Sequence, residues 1–163
     1  MKTVMLLRHA KSDWDDESLR DFDRPLADRG KRDAPRIGKA IRKQGRIPDL
    51  IISSPAARAS QTIEAVVESA GLDITPQFDD SIYGADPADI LKLIRELPDT
   101  ISSVLLVGHN PTFEHLLDRL AATDRHMATA ALACIEFQAD HWDDIDDGQG
   151  KLVWFVTPKE LPG

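Results

Sequence analysis

Short runs in this chain are apolar at almost every position rather than at every second one. Val4-Met5-Leu6-Leu7, Leu50-Ile51-Ile52 leading into Ser53, and Val104-Leu105-Leu106-Val107 are the clearest. A strand with one wet face alternates apolar and polar residues, whereas a strand with no polar face must be covered on both sides. Such strands belong to the middle of a parallel sheet, so helices are required between them. The helices are visible. Ser54-Pro55 and Gly71 bracket a segment at 55–70, with Ser54 as its cap and Pro55 as its first residue. Asp86-Pro87 opens another, carrying Ile90, Leu91, Ile94 and Leu97 on one face. Asn110-Pro111 opens a third, with Phe113, Leu116, Leu117 and Leu120 as its stripe. Asp28 to Gln44 is also helical in period, through Ala34, Ile37 and Ile41, and Pro35 is expected to kink it or delay its start.

Asp73-Ile74-Thr75-Pro76 reads as a further strand. Ala131 to Phe137 and Leu152 to Val156 read as an antiparallel pair at a sheet edge, joined by the acidic loop 143–150. The order β-α-β-α-β-α-β-α-β-β predicts a three-layer α/β/α sandwich with a mostly parallel sheet. No linker or internal repeat interrupts it, so one domain over residues 1–163 is expected, an ordinary size for a single core.

Composition narrows the function classes. The 20 Lys and Arg against 28 Asp and Glu leave a net charge of −8. They are unevenly placed. Residues 1–46 hold 13 basic and 8 acidic residues, a balance of +5, and the remaining 7 and 20 give −13. The basic third alternates in sign and has no interleaved aromatics, so a solvated helix face is the expectation rather than a nucleic-acid patch. No run approaches the roughly 18–20 apolar residues of a membrane span, and the N-terminal apolar stretch is too short for a signal peptide. The lone Cys134 cannot form an internal disulfide, which fits a cytoplasmic protein. The acidic loop has Asp spacing loosely like a calcium site but lacks the ordered ligand run and terminal Glu of an EF-hand, and no cluster has zinc spacing, so no metal and no cofactor is expected.

The chemistry gathers where the strands end. Arg8-His9 follows the first, Ser53-Ser54-Pro55-Ala56-Ala57-Arg58 the second, and Gly108-His109-Asn110-Pro111 the strand at 104–107. In an open parallel sheet the carboxyl ends of the strands share one edge, and ligands bind there. Two guanidinium groups can grip a phosphoryl dianion through several charge-assisted hydrogen bonds. An imidazole with a free ring nitrogen can attack phosphorus, and a second imidazole, as a cation, can stabilise the oxygens during transfer. Alone, each of these dipeptides is commonly structural; three together at strand ends are not. His115, His126 and His141 carry no motif and read as surface residues. Trp14 lies where it can border the pocket.

Leu6-Leu7-Arg8-His9-Ala10-Lys11-Ser12, Ser53 to Thr62, and Val107-Gly108-His109-Asn110-Pro111 resemble the signature segments of the histidine phosphatase superfamily, whose fold is phosphoglycerate mutase-like. Arg24-Pro25-Leu26 with Arg29-Gly30 resembles its stretch before the first helix, and the Ala-Lys-Ser after His9 resembles the short SixA-type phosphohistidine phosphatases. The resemblance runs from residue 4 to about residue 120. It implies that His9 is the nucleophile that becomes phosphorylated, that Arg8 and Arg58 bind the phosphoryl group, and that His109 completes the pocket. Larger members use a carboxyl group as proton donor, and Asp80 is the candidate here, although SixA-type proteins lack a clear acid. The function implied is a metal-independent phosphatase acting on protein phosphohistidine. Its alternatives are a small-molecule phosphomonoesterase of the same superfamily or a non-catalytic phosphate-binding module. The expected partner is accordingly a phosphorylated protein or a small phosphorylated metabolite, with neither nucleic acid nor membrane.

Overall fold

The computed structural model describes residues 1–162. They form one six-stranded sheet between two pairs of helices. In chain order the elements are β1 (Lys2–Arg8), α1 (Asp28–Gln44), β2 (Leu50–Ser53), α2 (Ala57–Ala70), β3 (Gln77–Phe78), α3 (Pro87–Arg95), β4 (Ser103–Gly108), α4 (Thr112–Ala121), β5 (Leu132–Phe137) and β6 (Lys151–Val156). The sheet order is β3-β2-β4-β1-β5-β6. The first four strands run parallel, and β5 and β6 are antiparallel additions at one side. This is the mostly parallel α/β/α sandwich expected from the apolar runs.

The continuous apolarity of the strands has the anticipated cause. Val4 and Leu6 of β1, with Val104 and Leu106 of β4, face the core that holds Ile90, Ile94, Phe113 and Leu117 of α3 and α4. Met5, Leu7, Leu105 and Val107 face the other side, against Ile37 and Ile41 of α1 and Ile63 and Val66 of α2. Each strand therefore needs apolar residues at odd and even positions alike.

Three local expectations shift. The strand anticipated at 73–76 forms later, as the two residues Gln77 and Phe78 beside Ile52 and Ser53; Pro76, which has no N–H to give a ladder, stays outside it. Helix α2 starts at Ala57 rather than Pro55, and Ser54 is not its cap residue. Pro35 neither delays nor ends α1, which runs 17 residues through it. The buried stripe Ala34, Ile37 and Ile41 packed on α2 outweighs the one hydrogen bond that Pro35 cannot donate.

The segment after β1 is held against the start of α1. Ala27 N–H donates to the Lys11 carbonyl, and Asp13 N–H to that of Pro25, both at 2.8 Å. A Cβ on Gly30 would collide with the Lys11 carbonyl oxygen, so only glycine lets the helix lie this close to the residues following His9. Replacing Gly30 by Ala is expected to destabilise the fold by about 1–3 kcal/mol, the usual range for overpacking, seen as a lower urea midpoint with an unchanged m-value.

Candidate active site

The site begins with register. In the parallel pairing of β1 and β4, Arg8 lies opposite Gly108. The next residue on each strand is a histidine, so His9 and His109 emerge side by side, their ring centroids 5.2 Å apart. The pairing continues past the strand end, with His9 N–H donating to the Gly108 carbonyl at 3.1 Å. Gly108 is needed here as well, because a Cβ would strike the Phe113 ring. On the other side of β4, Ser54 N–H donates to the Val107 carbonyl at 2.9 Å, which brings Ser54 level with the histidines. Arg58 comes from the first turn of α2.

Arg8, His9, Arg58 and His109 line a cleft of about 290 Å³ together with Arg24, Asp21 and Trp14. The four groups singled out from the sequence, Arg8, His9, Arg58 and His109, are all in it. Asp80 is not: its side chain is exposed, at the start of a 3-10 turn over Asp80–Ile82, outside the cleft lining. The one carboxylate lining the cleft among the described residues is Asp21, which no motif indicated. It accepts from Tyr83 Oη at 2.7 Å, Arg58 Nη2 at 3.0 Å and Arg24 Nη2 at 2.6 Å. The Tyr83 hydroxyl, ahead of Arg58, holds the Asp21 carboxyl below its usual range. Asp21 sits in an irregular stretch rich in aspartates, so neither spacing nor composition distinguishes it. Arg24 was visible only as part of a resembling segment. It is buried, and Trp14, itself largely exposed, stacks on its guanidinium.

Hydrogen bonds decide the protonation of both rings. His9 Nδ1 lies 2.7 Å from the Ala10 carbonyl oxygen. A carbonyl only accepts, so Nδ1 carries the proton and Nε2 the lone pair. His109 Nδ1 is 3.4 Å from Arg58 Nη2, which only donates, so the proton of His109 is on Nε2, 2.8 Å from Ser54 Oγ. Both imidazoles are thus neutral. Burial, with the neighbouring guanidinium groups adding to it, lowers His9 to about 4 and His109 to about 3. In the free protein, desolvation and adjacent positive charges both oppose protonation of His109. Ser54, read from sequence as a helix cap, serves this ring and accepts from Ala56 N–H at 3.2 Å.

Positive charge comes instead from Arg8, Arg24 and Arg58. Arg8 Nη1 donates to the Met127 carbonyl at 3.0 Å, and Arg58 Nη1 to that of Asp21 at 2.7 Å. The Nε atoms of Arg8 and Arg24 are buried without a hydrogen-bond partner among the described residues. Unpaired buried donors are costly, and an oxyanion is the acceptor such a set accommodates. Among the described residues, no three His, Cys, Asp or Glu side chains gather as a metal site would.

Comparison with known proteins gives the family and the fold. The model of the histidine phosphatase superfamily, branch 1, matches residues 4–85. An uncharacterized protein of Mycobacterium tuberculosis is 34% identical over 164 residues, covering 94% of this chain and all of the relative. A crystal structure from Agrobacterium tumefaciens that carries the SixA phosphohistidine phosphatase name superposes with a TM-score of 0.80 at 34% identity, over 96% of this chain and 98% of that one. The fold is shared also with the protein histidine phosphatase SixA complexed with tungstate, at a TM-score of 0.83 and 22% identity, over 96% and 97% of the two chains.

The lowered histidines make stability depend on pH in a defined direction. Unfolded, both rings titrate near 6.5; folded, near 4 and 3. Between those values the unfolded chain binds more protons, so stability is highest above about pH 6.5 and falls as the pH drops toward 4. Thermal melts from about pH 7 to about pH 5 are expected to show a falling Tm, with a shallower fall in His109→Asn, which has no ring to protonate.

Proposed function

The chain belongs to the histidine phosphatase superfamily and is of the SixA type, and we propose that it is a phosphatase moving a phosphoryl group from protein phosphohistidine to His9 and then to water, without a metal ion. The state of Asp21 carries the substrate assignment. A phosphate ester needs a proton for its alkoxide leaving group, and the carboxyl in this cleft is held ionised by a phenol and two guanidinium groups. An ionised carboxylate cannot be that donor.

A phosphoramidate makes no such demand. His9 Nε2 attacks phosphorus as the bond from phosphorus to the substrate imidazole breaks. When the far nitrogen of the substrate ring already carries a proton, that ring leaves neutral. His9, keeping Nδ1–H on the Ala10 carbonyl, becomes the phosphorylated imidazolium. One P–N bond is exchanged for another of the same kind, and no proton is delivered. Water then attacks phosphorus, the bond to Nε2 breaks, and phosphate leaves as the monoanion with both water protons. His9 returns to its neutral form.

Arg8, Arg58 and Arg24 hold the phosphoryl oxygens and balance the charge that shifts during each transfer. A bound dianion draws His109 toward protonation, since opposite charge favours the charged form, so its cationic role belongs to the substrate complex. The cleft is open and small, which admits a phosphorylated side chain on a protein surface and lets water reach the intermediate.

Four outcomes are expected. His9→Ala neither hydrolyses phosphohistidine nor traps a phosphoenzyme in rapid-quench labelling; undiminished turnover would overturn the mechanism. Arg58→Ala lowers kcat/KM by about 3–4 kcal/mol, roughly two to three orders of magnitude. Phosphohistidine is turned over far faster than p-nitrophenyl phosphate. Asp21→Asn leaves that ranking unchanged; a selective collapse of ester hydrolysis in this variant would identify Asp21 as an acid and remove the argument for phosphoramidates.

A further inference from the structure

Beside the cleft, a groove of about 810 Å³ runs along α1. The two share a wall. Thr129 lines both, and Arg29 Nη2 donates to Thr129 Oγ1 at 3.0 Å. From that junction the cations Arg29, Arg32, Arg36, Lys39 and Lys43 follow one another at intervals of three and four residues. They form one stripe down α1, about 21 Å long at the helical rise. Ordinary solvated helix faces place acidic residues among the basic ones. This stripe holds a single one beside its five cations. The only carboxylate lining the groove among the described residues is Asp33, nearly buried and shared by Arg29 and Arg36. Arg32, Lys39 and Lys43, with Lys159 across the groove, have no acidic partner among the described residues. All this lies on a chain whose net charge is −8.

The far end changes character. Beyond Lys39 the groove passes into a hollow of about 260 Å³ walled by Trp154, Val156 and Leu161. A row of cations ending in an apolar hollow suits a polypeptide with acidic side chains and an apolar residue at its end. A phosphate polymer has nothing to place there, and the −13 balance of residues 47–163 opposes wide contact with a nucleic-acid backbone.

We propose that the α1 stripe docks an acidic segment of the protein substrate whose phosphorylated side chain enters the His9 cleft. This rests on the phosphatase reading above and adds the means by which protein substrates are selected. Attraction along the stripe raises the encounter rate and orients the partner, and salt weakens it.

The test uses four probes: phosphoramidate, and peptides whose phosphohistidine is flanked by glutamates ending in leucine, on either side, or by serines. Wild-type protein is expected to turn over one glutamate peptide with kcat/KM at least about tenfold above the serine peptide at low salt, the advantage shrinking as salt is added. The double variant Arg32→Glu/Lys39→Glu is expected to lose that advantage and to hydrolyse phosphoramidate within about twofold of wild type, because neither residue lines the cleft. Equal turnover of glutamate and serine peptides, an advantage that survives in the variant, or stronger competition by duplex DNA than by unphosphorylated glutamate peptide would each overturn the proposal. Failure to hydrolyse phosphoramidate would count against the phosphatase reading instead. Fluorescence anisotropy of the labelled, unphosphorylated glutamate peptide then decides the docking question: tight, salt-sensitive binding lost in the variant supports it, and equal binding to both proteins overturns it.

Discussion

The pairing of β1 with β4 sets the geometry on which the rest depends. Parallel strands with Arg8 opposite Gly108 deliver consecutive residues at matched heights, so the two imidazoles meet without any loop having to reach across. β2, on the far side of β4, brings Ser54 to the same level, and α2 follows at once with Arg58 in its first turn. A slip of one residue in the β1–β4 ladder would turn Met5 and Leu7 out of the α1–α2 core and the Val4–Leu6 face out of the other, and would separate the histidines. The apolar core therefore enforces the register that assembles the site.

Within that frame the electrostatics are one-sided. Three guanidinium groups face two rings that burial keeps neutral, and one carboxylate is tied to a phenol and two of the arginines. For the proposed transfer, a neutral imidazole beside fixed positive charge suits attack on an anionic phosphoryl group: its lone pair is available, and the cations meet the charge on the oxygens. The Ala10 carbonyl adds orientation, holding the ring of His9 by Nδ1 and leaving Nε2 for the proposed attack.

Much of this was legible in the chain. Residues at strand ends could be located because the strands themselves are plain from their apolar runs, and Arg8, His9, Arg58 and His109 follow directly. Asp21 was hidden, since its position is set by Arg58 and Tyr83, 37 and 62 residues away, in a stretch with no periodicity. The region around Asp80 does reach toward the site, but through Tyr83, whose longer side chain bridges to Asp21 while Asp80 stays in solvent. The charge of His109 depends on burial and on guanidinium neighbours, neither of which a linear pattern records. Pro35 misleads in the opposite way: a local rule allows a delayed start, and packing against α2 carries the helix from Asp28 straight through it.

The contact at Gly30 has a consequence for how a large partner would be read. Because α1 rests on the Lys11 carbonyl with no room for even a methyl group, the helix and the residues just after His9 are packed in direct contact. Any polypeptide lying along the helix is then held at a set offset from the reacting nitrogen. In the docking proposed above, the helix serves as a ruler, selecting the number of residues between anchor and phosphorylated side chain as well as the charge of the anchor.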